Sequence, residues 1–394
     1  MERGKLALNA TLSAAKVLFA AALFCVPASA GTPGSAAGNF LQFTPSPRAS
    51  GMGESYVSIA EDAYAAYWNP AGLAAVERPE VAATYNGSFE DVAHQYLSFV
   101  YPLSGGRSLG LNITRLTVAP FQGYDAAGYR TKKVDAADTA VGGAYAVTLL
   151  RDDIARPVLN AGVNLKFISE TLDTVSATAL ALDFGALYYM RPEKPWLKNL
   201  PGQEFRVGLA VRNLGTALEF DSTPFALPLS LNLGTSWISH PSGDSTLAVS
   251  LDQSVSKDDA YSAALGAEFS AFQLLALRLG YKTGQDMGSG VRFGVGFRLP
   301  FMDLDYSMSP FGDLGAMHKF GVAMRFGRPS ARPPLEAALR QAEATLPQPE
   351  AVPGAAPKEK AEKLREFSAN YLALARQNIG ERRYSLALEN IGNA

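Results

Sequence analysis

Three histidines, one cysteine and a scatter of carboxylates are all the chain offers for metal binding or catalysis. His94, His240 and His318 each lack a carboxylate or second histidine at a ligand spacing, so no metal site is expected. His94 and His318 fall at the starts of strand-like runs, where solvated loop ends are the expectation. The serine-rich "SGDSTLAVS" carries no G-x-S-x-G elbow for a nucleophile. The chain reads as no enzyme, with no catalytic residue and no cofactor. What it does hold is a set of charges of both signs: Lys166, Asp183, Arg206, Asp252, Arg278, Arg292, Arg298, Asp303 and Asp305. They form no catalytic pattern, and their meaning depends on the elements that carry them.

Those elements alternate with a period of two. In "VLNAGVNLKF", Leu159, Ala161, Val163, Leu165 and Phe167 share one face, and Asn160, Gly162, Asn164 and Lys166 the other. "VRFGVGFRL" and "LLALRLGY" repeat the pattern, with Arg292, Arg298 and Arg278 on the polar side. "MDLDYSM" places Asp303 and Asp305 there as well. Such segments fall at about 80–87, 93–102, 107–117, 139–149, 158–169, 174–189, 204–214, 228–238, 245–254, 260–270, 273–283, 289–299, 301–309 and 318–327. Most approach the roughly ten residues that a tilted strand needs to cross a bilayer. No helical pattern interrupts them, which excludes an α/β fold. The expected long connection is "APFQGYDAAGYRTKKVDAAD", after the third strand.

Alternation alone fits either a soluble two-sheet sandwich, apolar side inward, or a transmembrane barrel, apolar side outward. Three features favour the barrel. The first is export: Arg3, Lys5 and Lys16, the apolar run from Val17 to Val26, and Ala28-Ser29-Ala30 before Gly31 read as a signal peptide over 1–30. Cleavage there removes Cys25, so no disulfide staples a secreted sandwich. The second is the number and length of the strands. The third is the polar face, rich in Gly, Ala, Ser and Asn with mixed charges, which suits a crowded or watery lumen. A formal net charge of −2 lacks the basic face that nucleic acid needs. The reading is therefore all-β: a transmembrane antiparallel β-barrel of about fourteen strands over 80–327. Its inward charges would form an ion-pair ladder that packs against whatever fills the lumen.

Residues 31–79 precede the first strand and do not alternate. "GMGESYVSIAEDAYAAYWNPAGL" (Gly51 to Leu73) supplies glycines for close backbone approach, the acidic pair Glu61 and Asp62, and the aromatics Tyr67 and Trp68. Ala60 to Tyr67 predicts a short helix, and Asn69 with Pro70 the capped start of a second. The segment reads either as a compact linker or as a plug, since irregular backbone is tolerated inside a barrel. Its Gly51–Gly53, Glu61-Asp62-Ala63 and Asn69-Pro70-Ala71-Gly72 steps resemble the N-terminal signature of FadL-like outer-membrane proteins, particularly the PorV/PorQ branch. The resemblance covers the signal peptide through Phe326. It implies a fourteen-stranded outer-membrane barrel whose 31–79 segment is a hatch, with Gly51, Gly53, Glu61, Asp62, Tyr67, Trp68, Asn69, Pro70 and Gly72 in it. It further implies passive binding or transport of hydrophobic compounds such as a long-chain fatty acid. In the PorV branch, the implied role is instead an accessory or scaffold in type IX secretion or envelope assembly.

After the barrel the composition shifts. Residues 328–358 are Pro- and Ala-rich and read as a linker. Residues 359–394 have helical period, with Tyr371, Leu374, Ala375, Asn378, Tyr384, Ala387, Ile391 and Ala394 at spacings similar to one tetratricopeptide repeat, though Asn378 stands where an aromatic is usual; the alternative is a plain amphipathic helical hairpin. A single hairpin cannot bury its own face, so a periplasmic protein partner or a second copy is expected to cover it. Both chain ends would be periplasmic, and outer-membrane lipid would surround the barrel.

Overall fold

In the computed structural model the described residues are 36–327, apart from 88–91, 126, 153–155, 193–201, 243, 258–260, 285–287 and 313–314. The signal peptide, the linker and the helical tail expected from the sequence lie outside them. Sixteen strands follow one another: β1 (Glu80–Gly87), β2 (Val92–Leu103), β3 (Arg107–Tyr124), β4 (Arg130–Arg151), β5 (Pro157–Leu172), β6 (Val175–Met190), β7 (Glu204–Gly215), β8 (Leu218–Phe220), β9 (Thr223–Phe225), β10 (Ser230–Ser242), β11 (Ser245–Ser256), β12 (Ser262–Ala271), β13 (Leu275–Lys282), β14 (Val291–Arg298), β15 (Met302–Pro310) and β16 (Ala316–Arg325). Fourteen close into an antiparallel barrel, in which β7 pairs with β10 and β1 meets β16. The other two, β8 and β9, form a separate hairpin in the β7–β10 connection.

The side chains decide between sandwich and barrel. On β5, Leu165 and Phe167 are 52% and 51% exposed, while Asn164 and Lys166 between them are 1% and 8% exposed. The same inversion holds for Leu277 and Leu279 against Arg278, and for Phe293 against Arg292. Each large apolar side chain left in water forfeits about 1.5–3 kcal/mol. A belt of them around the whole wall is stable only against lipid.

Three local expectations are corrected. The connection after β3 is short, because β3 and β4 continue pairing through Phe121–Val134, Gln122–Lys133 and Tyr124–Arg130. Register shifts after Val118 and Gln122 break the alternation there, which is why the run reads as loop. His94 is buried within hydrogen-bond distance of Thr114, 2.8 Å between Nε2 and Oγ1, and is not a solvated loop end. The helix expected over Ala60 to Tyr67 is confined to Ala65–Trp68.

Ahead of the barrel come a 3-10 turn (Asn39–Gln42), helix α1 (Pro47–Gly51), helix α2 (Ala65–Trp68) and a second 3-10 turn (Pro70–Ala75). Ser46 caps α1 by accepting from the Ala49 N–H, with Pro47 at the first helical position. Ala49, Met52, Tyr56, Ala60, Ala63, Ala65, Ala66, Ala71 and Leu73 in this stretch are fully buried. The inner wall that receives them is lined at that level by glycines, which face one another across neighbouring strands as Gly162–Gly185, Gly208–Gly234 and Gly266–Gly280. At Gly280 an added Cβ would lie 1.9 Å from the Gly53 nitrogen, and at Gly208 it would lie 2.5 Å from the Val57 oxygen. Only a wall without side chains lets the segment's backbone come that close.

Candidate functional site

The N-terminal segment is tied to the wall mainly by charge on one side of the barrel and mainly by neutral contacts on the other. Arg48 reaches β12, where Nε and Nη2 each donate to Glu268 at 2.8 Å. Glu268 also accepts from Arg278 at 2.6 Å and Arg298 at 2.7 Å, so three guanidiniums share one buried carboxylate. Arg278 turns its other nitrogen to Asp305. Glu54 pairs with Arg292 and, at 2.6 Å, with Lys282. Burial alone would raise the Glu54 carboxyl, yet Arg292 and then Lys282 hold it well below the usual carboxylate range. Glu61 pairs with Arg206 at 2.6 Å and accepts from the Tyr189 hydroxyl. Asp252 on β11 accepts from the backbone N–H groups of Tyr56 and Val57, both at 2.7 Å.

On the opposite side neutral groups predominate, with Glu80 of β1 the carboxylate among them. The Ser98 hydroxyl donates to the Ala63 carbonyl, the Asn164 amide to the Ala66 carbonyl, and Tyr64 shares a hydrogen bond with Thr84. Leu73 lies behind Gly110 of β3, where an added Cβ would sit 3.1 Å from it.

Asn69 joins three pieces of chain. Its oxygen caps the second 3-10 turn by accepting from Ala71, and its amide donates to Val57 and to Ala186 of β6. Gly72 is forced by a close approach, since a Cβ there would fall 1.7 Å from the Ala60 oxygen. Asn69→Ala is expected to cost about 1–3 kcal/mol by leaving these buried groups unpaired. Limited proteolysis of the folded protein should then cut within 36–79, where the parent chain resists.

The structure groups most of the residues singled out from sequence. Gly51, Gly53, Glu61, Asn69, Pro70 and Gly72 all touch the inner wall or the segment's own turns; Arg206 receives Glu61, Asp252 the N–H groups of Tyr56 and Val57, and Arg292 receives Glu54. Lys166 with Asp183, and Asp303 with Arg325, pair within the wall. Asp62 does not meet a wall arginine; it takes the Tyr56 hydroxyl and lies 3.7 Å from Arg48 of its own segment. Burial pushes its carboxyl up, and Arg48 opposes that. Tyr67 and Trp68 stack beneath the Arg212 guanidinium at 4.9 and 5.4 Å. Arg48, Glu54, Arg212 and Glu268 were not singled out, although Arg212 and Glu268 stand on polar faces of alternating strands, where their charge was the available signal.

Two spaces bear on passage. Inside, a cavity of about 60 Å³ remains between the segment and the wall, lined by Glu54, Tyr67, Trp68, Arg212, Asp252 and Lys282 among others. A benzene-sized guest needs on the order of 150 Å³, so this cavity as it stands is too small for one. Outside, an apolar groove of about 480 Å³ crosses β2 to β5, walled by Phe99, Tyr101, Leu109, Leu111, Tyr145 and Leu165. Its floor is the strand backbone at Gly110, Gly143 and Ala144.

No family model matches the chain, and no curated protein does. Solved structures similar in architecture include the Ralstonia pickettii toluene transporter TbuX, at 12% identity and TM-score 0.48 over 71% of this chain and 98% of that one. The P. putida toluene transporter TodX gives 12% and 0.48 over 72% and 98%. A Pseudomonas aeruginosa FadL homologue gives 11% and 0.42 over 76% and 100%.

Proposed function

We propose that the chain is a passive outer-membrane channel for small hydrophobic molecules, closed by residues 31–79 acting as a hatch. The observation that carries this reading is the wall at β3–β4. There an apolar groove on the lipid side lies over Gly110, and Leu73 of the hatch lies directly behind it. Only the paired β3–β4 backbone separates the two there, so a hydrophobic molecule that parts this ladder leaves sideways into the bilayer instead of crossing water. Ion pairs to β12–β14 and β7 and hydrogen bonds to the rest of the wall hold the hatch, a closure that can be undone without breaking a covalent bond. In this reading the barrel's two chain ends face the periplasm. The export role implied by the motif resemblance drew equally on the helical tail, which lies outside the described residues.

Influx of N-phenyl-1-naphthylamine into cells with an intact lipopolysaccharide layer tests the proposal. Expression of the protein should raise the rate above that of cells carrying an empty vector. Equal rates, with folded barrel demonstrated in the membrane, would refute transport.

A further inference from the structure

The wall that carries the outer groove ends in a cation. Across β2, β3 and β4 the outward side chains stand in rungs fixed by the ladder register: Leu103–Arg107–Val147, then Tyr101–Leu109–Tyr145, then Phe99–Leu111–Gly143. Successive rungs are about 7 Å apart along the strand. Gly143 leaves the third rung open, with nothing within 4 Å of an added Cβ, so the groove gapes there between Leu111 of β3 and Val163 and Leu165 of β5. The second rung carries two exposed tyrosines, the side chains that gather where acyl chains give way to head groups. At the first rung the groove stops being apolar. Arg107 is exposed on the lipid side of β3, at the first residue after the 104–106 turn. An outward arginine is costly at the middle of a bilayer and nearly free at its interface, so this rung belongs at head-group depth. Its Nε donates to the Ser104 carbonyl at 3.0 Å, which holds the guanidinium at the turn and leaves both Nη nitrogens for a ligand. Among the described residues no carboxylate pairs with it.

We propose that this strip of wall is a binding site for an anionic glycerophospholipid, with an acyl chain in the groove over Gly143 and the phosphodiester on Arg107. The two ends of the strip ask for one occupant. The groove takes a hydrocarbon chain, the guanidinium takes a phosphate through its paired donors, and the tyrosine rung between them suits the ester region that joins the two. A zwitterionic head group would bring an ammonium beside the guanidinium, so an anionic one is favoured. The site goes beyond the transport reading and takes from it only the placement of the chain ends in the periplasm. β1 leaves that side and β2 returns to it, which sets the β2–β3 turn in the phospholipid leaflet.

The test is lipid titration of the full chain, released from outer membranes in detergent and followed by native mass spectrometry, with heat-modifiable mobility as the check of folding. The parent should bind phosphatidylglycerol saturably, and phosphatidylethanolamine more weakly. Arg107→Ala should weaken phosphatidylglycerol about fivefold, the loss expected for one cation at a lipid surface, and bring the two lipids level. Arg78→Ala should leave both unchanged, since that arginine donates to the Pro300 carbonyl and lines no part of the groove. Gly143→Leu should weaken both lipids alike, because it removes room and no charge. Glycerophosphate, a phosphate without chains, should not compete. Binding by Arg107→Ala or by Gly143→Leu equal to that of the parent refutes the site. Competition by glycerophosphate refutes it too, since the groove would then have no part in binding. Preference for lipopolysaccharide over phosphatidylglycerol would put this rim in the other leaflet and overturn the assignment. None of these readouts is influx, so failure of the transport reading shows separately.

Discussion

Gly280→Val is expected to turn a closed barrel into a conducting one. The Cβ it introduces would fall 1.9 Å from the Gly53 nitrogen and 2.1 Å from the Met52 carbonyl carbon, both of them backbone atoms held by the surrounding turn. Overpacking in an ordinary core costs about 1–3 kcal/mol because neighbouring side chains can shift. Here there is no side chain to shift, and the wall cannot retreat because β13 is hydrogen-bonded on both sides. The strand itself tolerates valine, which favours extended backbone. The barrel should therefore fold, and the N-terminal segment should be the part that yields. Planar-bilayer recordings should show steady conductance in the variant where the parent is silent. Gly143→Val is the control, because that glycine faces outward with nothing within 4 Å of the added carbon. A silent Gly280→Val barrel that still shows heat-modifiable mobility would mean the segment does not seal the lumen.

Glu268→Ala should be the most destabilising single change among the lumen charges. It leaves Arg298 without its Glu268 partner and Arg48 with only Asp62 at 3.7 Å, and strips Arg278, whose side chain is 1% exposed, of one of its two carboxylates. Breaking a buried pair by deleting one partner costs roughly 3–5 kcal/mol, since the remaining charge is left uncompensated. Urea unfolding in detergent should show the midpoint fall by a corresponding amount. Arg48→Ala should fall less, because Glu268 keeps Arg278 and Arg298. Should the two variants prove equally stable, the shared carboxylate is not the centre of the network.

The barrel was legible because its rule is strictly local. A strand between lipid and a crowded lumen must alternate, and residues such as Leu165 and Lys166 on β5 declare their faces without reference to the rest of the chain. The extended β3–β4 hairpin was not legible, because its register shifts after Val118 and Gln122 erase that rule where pairing continues. The segment ahead of the barrel was half legible. Asn69 and Pro70 announce a capped turn, and the turn is there. Which wall residue each polar group meets is set by barrel closure, over separations such as the 220 residues between Arg48 and Glu268. Asp62 shows the consequence: a carboxylate beside an arginine-bearing wall meets its arginine, Arg48, on its own segment.

The seam where β1 meets β16 is fastened from inside. Both of its strands touch the N-terminal segment: Glu80 of β1 accepts from the Ala63 N–H, and Lys319 of β16 donates to the Thr44 carbonyl. Gly321 of β16 lies so close to Pro47 and the Tyr64 hydroxyl that a Cβ would come within 3 Å of each. The two strands of that seam stand furthest apart in the chain, and no turn joins them as turns join their neighbours. Each holds the same short segment, so the filling serves as an inner clasp across the one join of the cylinder that the chain itself does not stitch.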